Sequence, residues 1–461
     1  DDEKAREFVK LWTAQLLDHR KNNLEAKCSN NGETYGAILC DRIRLSGKTY
    51  TAGAAHIIAS FLKEPFEGSA PLAHGIVEAD LSDIIASRKT EEGLQVLQTV
   101  CDAFVDSKLV DVDLSDNAIG EQGIGACRTV LDKKSLERLA LCNNGLSEDT
   151  MAQVADILTS DKDGTGCIAS NLTKIHFFNN MSGDGGCKEF ARILEKSSML
   201  VDIRFSSTRA SKEGSDIVTS ALDASLAERH NPNLIKLDLC DNNFSNKASC
   251  EALFRVLGGT KSLTHLNLCD CDLEDDGVMK ICHALFKSDS ALEHLDLSGN
   301  GIERRGAKHI ADYLRDCGGN LKRLYLEDNE LTSKGVELIA AAFHSSDDGH
   351  NIEEIKLNTC LVGAIGARAL IDAFGPEGED LPNLKKIFLN GNSFSEEVLS
   401  ELTVAFGRRM GELDDNDSDG DADDNLSDDD EEEDEDEDED KEPVDDEVDD
   451  LAEAMGKSLV V

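Results

Sequence analysis

Positive charge is scarce in this sequence: 47 Lys and Arg stand against 93 Asp and Glu, for a formal net charge of −46. Such a chain repels nucleic acid and anionic membrane surfaces and attracts basic protein surfaces, so DNA or RNA binding is disfavoured. Aromatic residues are few, at 5%, with one tryptophan, Trp12, which points to an aliphatic interior. No run of 18 or more apolar residues exists, so no membrane insertion is expected, and Asp1-Asp2-Glu3-Lys4 is not a signal peptide. The numbering does not begin at methionine, which leaves room for residues upstream. None of the 14 cysteines forms a CxxC pair, and Cys269 and Cys271 have no histidine at zinc-ligand spacing. No metal or other cofactor is therefore expected, and the cysteines read as reduced, small hydrophobes of a soluble cytoplasmic protein. A GxxxxGK[ST] phosphate loop is missing, as is any Ser/His/Asp or Cys/His arrangement; the chain has no complete enzymatic site of its own.

What is present is a repeat. The pattern aliphatic-x-Leu-x-x-Asn-x-aliphatic occurs at Leu139-Ala-Leu141-Cys-Asn-Asn144-Gly-Leu146 and returns around Leu237, Leu295, Leu324 and Ile387. Cys271 and Cys360 take the asparagine place in two copies. Anchoring each copy on its first aliphatic residue gives Ile43, Ala79, Val112, Leu139, Ile175, Ile203, Leu237, Leu266, Leu295, Leu324, Ile355 and Ile387, with steps of 27 to 36 residues. The surplus length after each asparagine carries apolar residues at helical spacing, as in Gly306 to Leu314. Each unit reads as a short strand, a turn and an α-helix. Length alone would suggest about three ordinary domains. The repeat replaces that expectation with a leucine-rich-repeat solenoid of α/β class, a crescent with a parallel sheet on the concave face and helices on the convex face. The asparagine amides are expected to serve backbone groups where the chain leaves the strand.

Three regions follow: an N-terminal helical cap over 1–40, the repeats over 41–410, and a disordered acidic tail over 411–461. In the first, Ala5 to Leu17 puts Phe8, Leu11, Trp12 and Leu16 on one side, to cover the first repeat. In the last, Glu412 to Asp450 holds 27 carboxylates against Lys441 alone, a charge of −26 that leaves −20 for the rest of the chain.

Function is sought where units break the rule. Unit two, Ala79-Asp-Leu81, continues as Ser82-Asp83-Ile84-Ile85-Ala86-Ser87-Arg88-Lys89 without an asparagine, so two cations leave the strand edge of an acidic chain. Units three to five carry doubled polar residues, Asp116-Asn117, Asn143-Asn144 and Asn179-Asn180. The second of each pair fills the asparagine position, and the first is free to face the concave rim beside Arg88.

These segments carry a resemblance. Ala79 to Arg88, Leu114-Ser-Asp-Asn117-Ala-Ile-Gly120 and Phe178-Asn-Asn-Met-Ser-Gly183 are similar to GTPase-activating proteins for the small nuclear-transport GTPase Ran. Ser206-Ser-Thr-Arg209 resembles the plant branch, and Phe406-Gly-Arg-Arg-Met-Gly-Glu-Leu-Asp414 before the acidic run resembles the fungal branch. The plant family's Trp-Pro-Pro targeting segment has no match, since Lys10-Leu11-Trp12 continues as Thr13-Ala14. The resemblance implies a monomeric activator that works in trans on the active site of GTP-bound Ran, alone or with a Ran-binding protein, in the cytoplasm or at the nuclear envelope. It implies catalytic roles for Arg88 and Asn143 and partner contacts for Asp83, Lys89, Asp116, Asn144 and Asn179. The alternative expectation is a non-catalytic leucine-rich-repeat scaffold for a basic protein partner.

Overall fold

The computed structural model describes residues 1–416 except 28–39, 66–69, 163, 228–232, 246, 290, 345–349, 376–380 and 382. The body of the expected acidic tail, 417–461, lies outside the described residues. Twelve strands form one parallel sheet in chain order. The register pairs the anchors read from the sequence directly with one another, Ile43 with Ala79, Ala79 with Val112 and so on to Ile355 with Ile387. We number the units one to twelve by these anchors. Each anchor is at most 5% exposed. The residue two places on, Leu in most units and Phe in units five and six, is buried as well. Residues on either side of the anchor face the other way, as strand alternation requires.

After each strand the chain enters a helix, from Ala52–Lys63 in unit one to Glu396–Phe406 in unit twelve. Apolar helical faces close over the leucine rows, giving one continuous core along the solenoid. The asparagines are the fastening of that core. Asn300 is 2% exposed, and its amide donates to Leu268 O and Leu297 O while its oxygen accepts from Cys271 N. Asn329 repeats the set one unit later, accepting from Asn300 N. Cys271 and Cys360 supply a thiol donor to the same carbonyls, Leu239 O and Leu326 O. One amide thus satisfies groups in its own unit and the preceding one, so consecutive units are hydrogen-bonded through side chains as well as strands.

At the N-terminal end the helix Asp2–Lys27 lies against the first repeat helix, with Trp12 at 5.4 Å from the Phe61 ring and Leu16 buried. Leu11, read as part of that apolar side, is 59% exposed. Ala5, Trp12 and Leu16 keep the helical spacing of the buried stripe, and Leu11 falls one step off it. At the other end, Leu413 packs on the core and the Asn416 amide donates to Leu413 O and accepts from Asn392 N. Residues 411–416, placed by sequence in the tail, therefore carry one more Leu-x-x-Asn turn onto unit twelve.

Two cysteines also differ from expectation. Cys240 and Cys269 stand at equivalent positions, two residues beyond the register pair Asp238 and Asn267, with Cα atoms 4.7 Å apart, and their sulfurs are joined as a disulfide. A parallel ladder holds equivalent positions of consecutive units at that spacing, inside the range a disulfide bridges. Other cysteines, such as Cys101, Cys127 and Cys282, are buried free thiols.

Candidate functional site

Directly after each strand the chain passes one residue with positive φ, and these residues form a column along the rim. In units two to five they are Asp83, Asp116, Asn143 and Asn179, at φ 51°, 62°, 51° and 51°. Asp, Asn and Gly tolerate this left-handed conformation best, which is why the column is so rich in them. Backbone bonds lock it: Asp83 N donates to Ser115 O, Asp116 N to Cys142 O, Asn143 N to Phe178 O and Asn179 N to Ser206 O. Each side chain then stands one strand spacing from the next.

Asp116, Asn143 and Asn179 are exposed and joined in a row. Asn179 Nδ2 donates to Asn143 Oδ1 at 2.9 Å, and Asn143 Nδ2 donates to Asp116 Oδ1 at 2.8 Å. Their neighbours Asn117, Asn144 and Asn180 are buried to 2% exposure or less. Asn144 donates to Leu114 O and accepts from Asn117 N. Asn144 was expected to touch a partner; a fully buried amide bonded to backbone cannot, so it is a residue of the repeat. Asn143 beside it has the exposed group.

The unit-two loop is built differently. Its asparagine position is Ile84, fully buried, whose backbone N–H is served by Asn117 Oδ1 of the following unit. The helix Thr90–Cys101 begins six residues after Ile84, where the unit-three helix begins three after Asn117 and the unit-four helix four after Asn144. Ile85 is buried and anchors the extra turn, Ser87 takes φ 61°, and Arg88 N donates to Ile85 O. Behind the loop, Asp80 accepts from Ser82 and Ser46 and pairs with Arg44. Burial works to raise the Asp80 carboxyl; the two serines and Arg44 outweigh it and hold it below the usual carboxylate range. The loop thus leaves the strand from a fixed carboxylate.

Arg88 is 28% exposed at its side chain, with Glu92 its ion-pair partner at 3.8 Å. Its Nε is buried without a hydrogen-bond partner. A long, half-exposed pair of this kind contributes about 0–1 kcal/mol, so an incoming acceptor can displace it. Lys89 is exposed just ahead of the helix. Asp83 is half-buried at the head of the column.

Arg204 is not among the residues expected from the sequence; its guanidinium lies 3.8 Å over the Phe178 ring and pairs with Asp238 at 2.9 Å. It stands on the concave face next to the Asn179 end of the row. The signal was available: Arg204 occupies the third strand position, where its register neighbours His176 and Asp238 are also polar. Nearby, His176 Nε2 lies 2.7 Å from Asp202 Oδ1. Burial works to raise the Asp202 carboxyl, and the His176 contact reverses it to below the usual range. Among the described residues, Cys240, Cys269 and Asp270 are the group with metal-ligand spacing, and the two sulfurs are bonded to each other. No described helix is long and apolar enough to cross a membrane.

Against known proteins, the family described as Leucine Rich repeat matches residues 261–282, 290–311 and 320–340. A curated relative, RAN GTPase-activating protein 1 of Arabidopsis thaliana, is 36% identical over 101 residues, 22% of this chain and 18% of that protein. RAN GTPase-activating protein 2 of the same plant is 36% identical over 99 residues, 21% of this chain and 17% of that protein. The chain thus spans less than a fifth of the length of the curated relatives it matches. A solved internalin from Listeria monocytogenes aligns over 78% of this chain and 88% of its own at 13% identity, with a TM-score of 0.37, which adds nothing to the fold described above. Its twelve in-register units and the matched repeats make the chain a leucine-rich-repeat solenoid, and over 22% and 21% of its length it is similar to the two plant Ran GTPase-activating proteins.

Proposed function

We propose that the protein stimulates GTP hydrolysis by Ran, acting in trans through the rim of units two to five. The observation that carries this reading is the joined row Asp116–Asn143–Asn179, which shares one positive-φ column with the Arg88 loop. The partial likeness to two Ran activators supports it.

Hydrolysis in a GTPase needs a water held in line and the charge developing on the phosphates stabilised. A primary amide offers two N–H groups and an oxygen with two lone pairs. Asn143 uses one N–H on Asp116 and one lone pair on Asn179, which leaves an N–H and a lone pair for the partner. That remainder matches a glutamine amide of the GTPase, itself both donor and acceptor. Arg88 brings a partly exposed guanidinium, tied among the described residues only by its long pair with Glu92 and held by its loop for contact with the partner. Asp83 and Lys89 flank that contact, and the acidic chain steers toward a basic surface on GTP-bound Ran. In this reading the protein works as a monomer in the cytoplasm or at the nuclear envelope, and Ran supplies the catalytic centre.

One observation favours a second reading, a scaffold for a basic partner: an open, mostly acidic hollow of about 640 Å³ lined by Asp270, Asp272, Glu274 and Asp276 of unit eight with Glu303 and Arg305 of unit nine. Single-turnover hydrolysis by purified Ran·GTP separates the two. An activator raises the rate by orders of magnitude, up to about 10⁵-fold for GTPase activators generally. Binding without acceleration would leave the scaffold.

A further inference from the structure

The row Asp116–Asn143–Asn179 has a direction. An amide can turn end for end, exchanging its donor and acceptor, at little cost in shape. A carboxylate cannot, because an ionised Asp only accepts. Asn143 therefore has to turn its NH2 toward Asp116, which leaves its oxygen facing unit five, and Asn179 has to donate to that oxygen. Both contacts are present, at 2.8 and 2.9 Å. One charge at the head of the row sets the orientation of two exposed amides, and a hydrogen bond to a charged group is about twice as strong as a neutral one. Among the described residues no other group bonds to these two side chains, and the backbone bonds of Asn143 and Asn179 use their main-chain N–H groups.

We infer that Asp116 is a positioning residue: it fixes which end of the Asn143 amide meets the partner, and so sets the donor and acceptor pattern of the site. The inference rests on the Ran-activator reading for its consequence in activity and on hydrogen-bond geometry alone for its structural content. Asp116 acts through Asn143, and its removal leaves Asn143 present, exposed and free to adopt either orientation.

The fold supplies a clean deletion. Gly47, Gly299 and Gly391 carry the same positive φ at the equivalent position in units one, nine and twelve, so Asp116→Gly removes the carboxylate without backbone strain. Asp116→Asn keeps an acceptor of the same shape and loses the charge. With Ran·GTP as substrate, Asp116→Gly lowers kcat about tenfold, part of the loss that removing a whole transition-state donor causes, and changes KM less than about threefold. Asp116→Asn, whose amide can present either end to Asn143, recovers little of that loss, and full recovery would overturn the role given to the charge. In an Asn143→Gly background Asp116→Gly adds less than about twofold, because the group it positions is gone. A rise in KM with kcat unchanged would make Asp116 a direct partner contact and overturn the proposal, as would equal losses in the two backgrounds.

A second readout needs no activity. In asparagine-labelled protein, the two Asn143 side-chain amide protons differ by more than the ordinary cis–trans splitting of a primary amide because one is bonded to a carboxylate, and Asp116→Gly returns the difference to that ordinary splitting. An Asn143 amide spectrum unchanged by Asp116→Gly overturns the proposal whether or not Ran is activated. Inactivity of the unmodified protein alone counts against the functional reading, not against the positioning.

Discussion

In unit nine the positive-φ residue after the strand is Gly299, and in unit ten it is Asp328; in units four and five it is Asn143 and Asn179. The backbone is the same in both regions, down to the buried asparagine that follows, Asn300 and Asn329 in one and Asn144 and Asn180 in the other. The regular region is the one in which the repeat family is matched. There the column holds carboxylates separated by a glycine, and none of these bonds to its neighbour, since carboxylates cannot donate and glycine has no side chain. In units three to five the column is a bonded row with unused donors and acceptors at its surface. Stability is thus stored in the buried column that the two regions share, and specificity is written in the exposed column next to it.

Exchanging residues within one column tests that division. Asn143→Gly places in unit four the residue that unit nine already carries. It is expected to reduce activation of Ran about a hundredfold, the usual cost of removing one preorganised amide, with the melting temperature nearly unchanged. Asp328→Gly, the same deletion in unit ten, is expected to leave activation intact; equal losses at the two sites would erase the distinction between the regions. In the buried column the regions should behave alike. Asn144→Ala and Asn300→Ala each strand several backbone groups and are expected to cost about 2–3 kcal/mol in denaturant unfolding. A cost confined to one of them would show that the ladder is not shared.

A smaller effect marks the regular region. His265, His294 and Tyr325 line up across units eight to ten, the first pair tilted and the second edge to face, with ring centroids 5.8 and 4.9 Å apart. Burial, then His265 and Arg323, push His294 down to about 4 from an ordinary 6.5. Because the folded ring resists protonation, its contribution to stability is full above pH 6.5 and is lost as pH falls toward 4. Histidine NMR should give a midpoint near 4 for His294; a midpoint at 6 or above would contradict the burial.

Much of this was legible in the sequence, for a physical reason. Burial dictates the leucine and asparagine spacing, so each of the twelve anchors from Ile43 to Ile387 is the second residue of its strand. The doubling of polar residues at Asp116, Asn143 and Asn179 pointed to the exposed column, because one residue of each pair had no place in the core. What spacing does not encode is contact across units. The direction of the amide row, the Cys240–Cys269 pairing, the stack of Arg204 on Phe178 and the turn at Leu413 to Asn416 all depend on register between strands or on the solenoid's closing edge. Asn144 was misread for the opposite reason: its type suits an interface, and only its burial assigns it to the ladder.

The measurement that bears most directly on the central claim compares two arginines by single-turnover GTP hydrolysis on Ran. Arg88 stands in the extended loop of unit two, and Arg305 stands in unit nine, bonded to Asp276. The account predicts strong acceleration by the unmodified protein, a loss of well over tenfold in Arg88→Ala, and no more than about a twofold change in Arg305→Ala. An Arg88→Ala protein that folds normally and accelerates hydrolysis to within tenfold of the unmodified protein would contradict it.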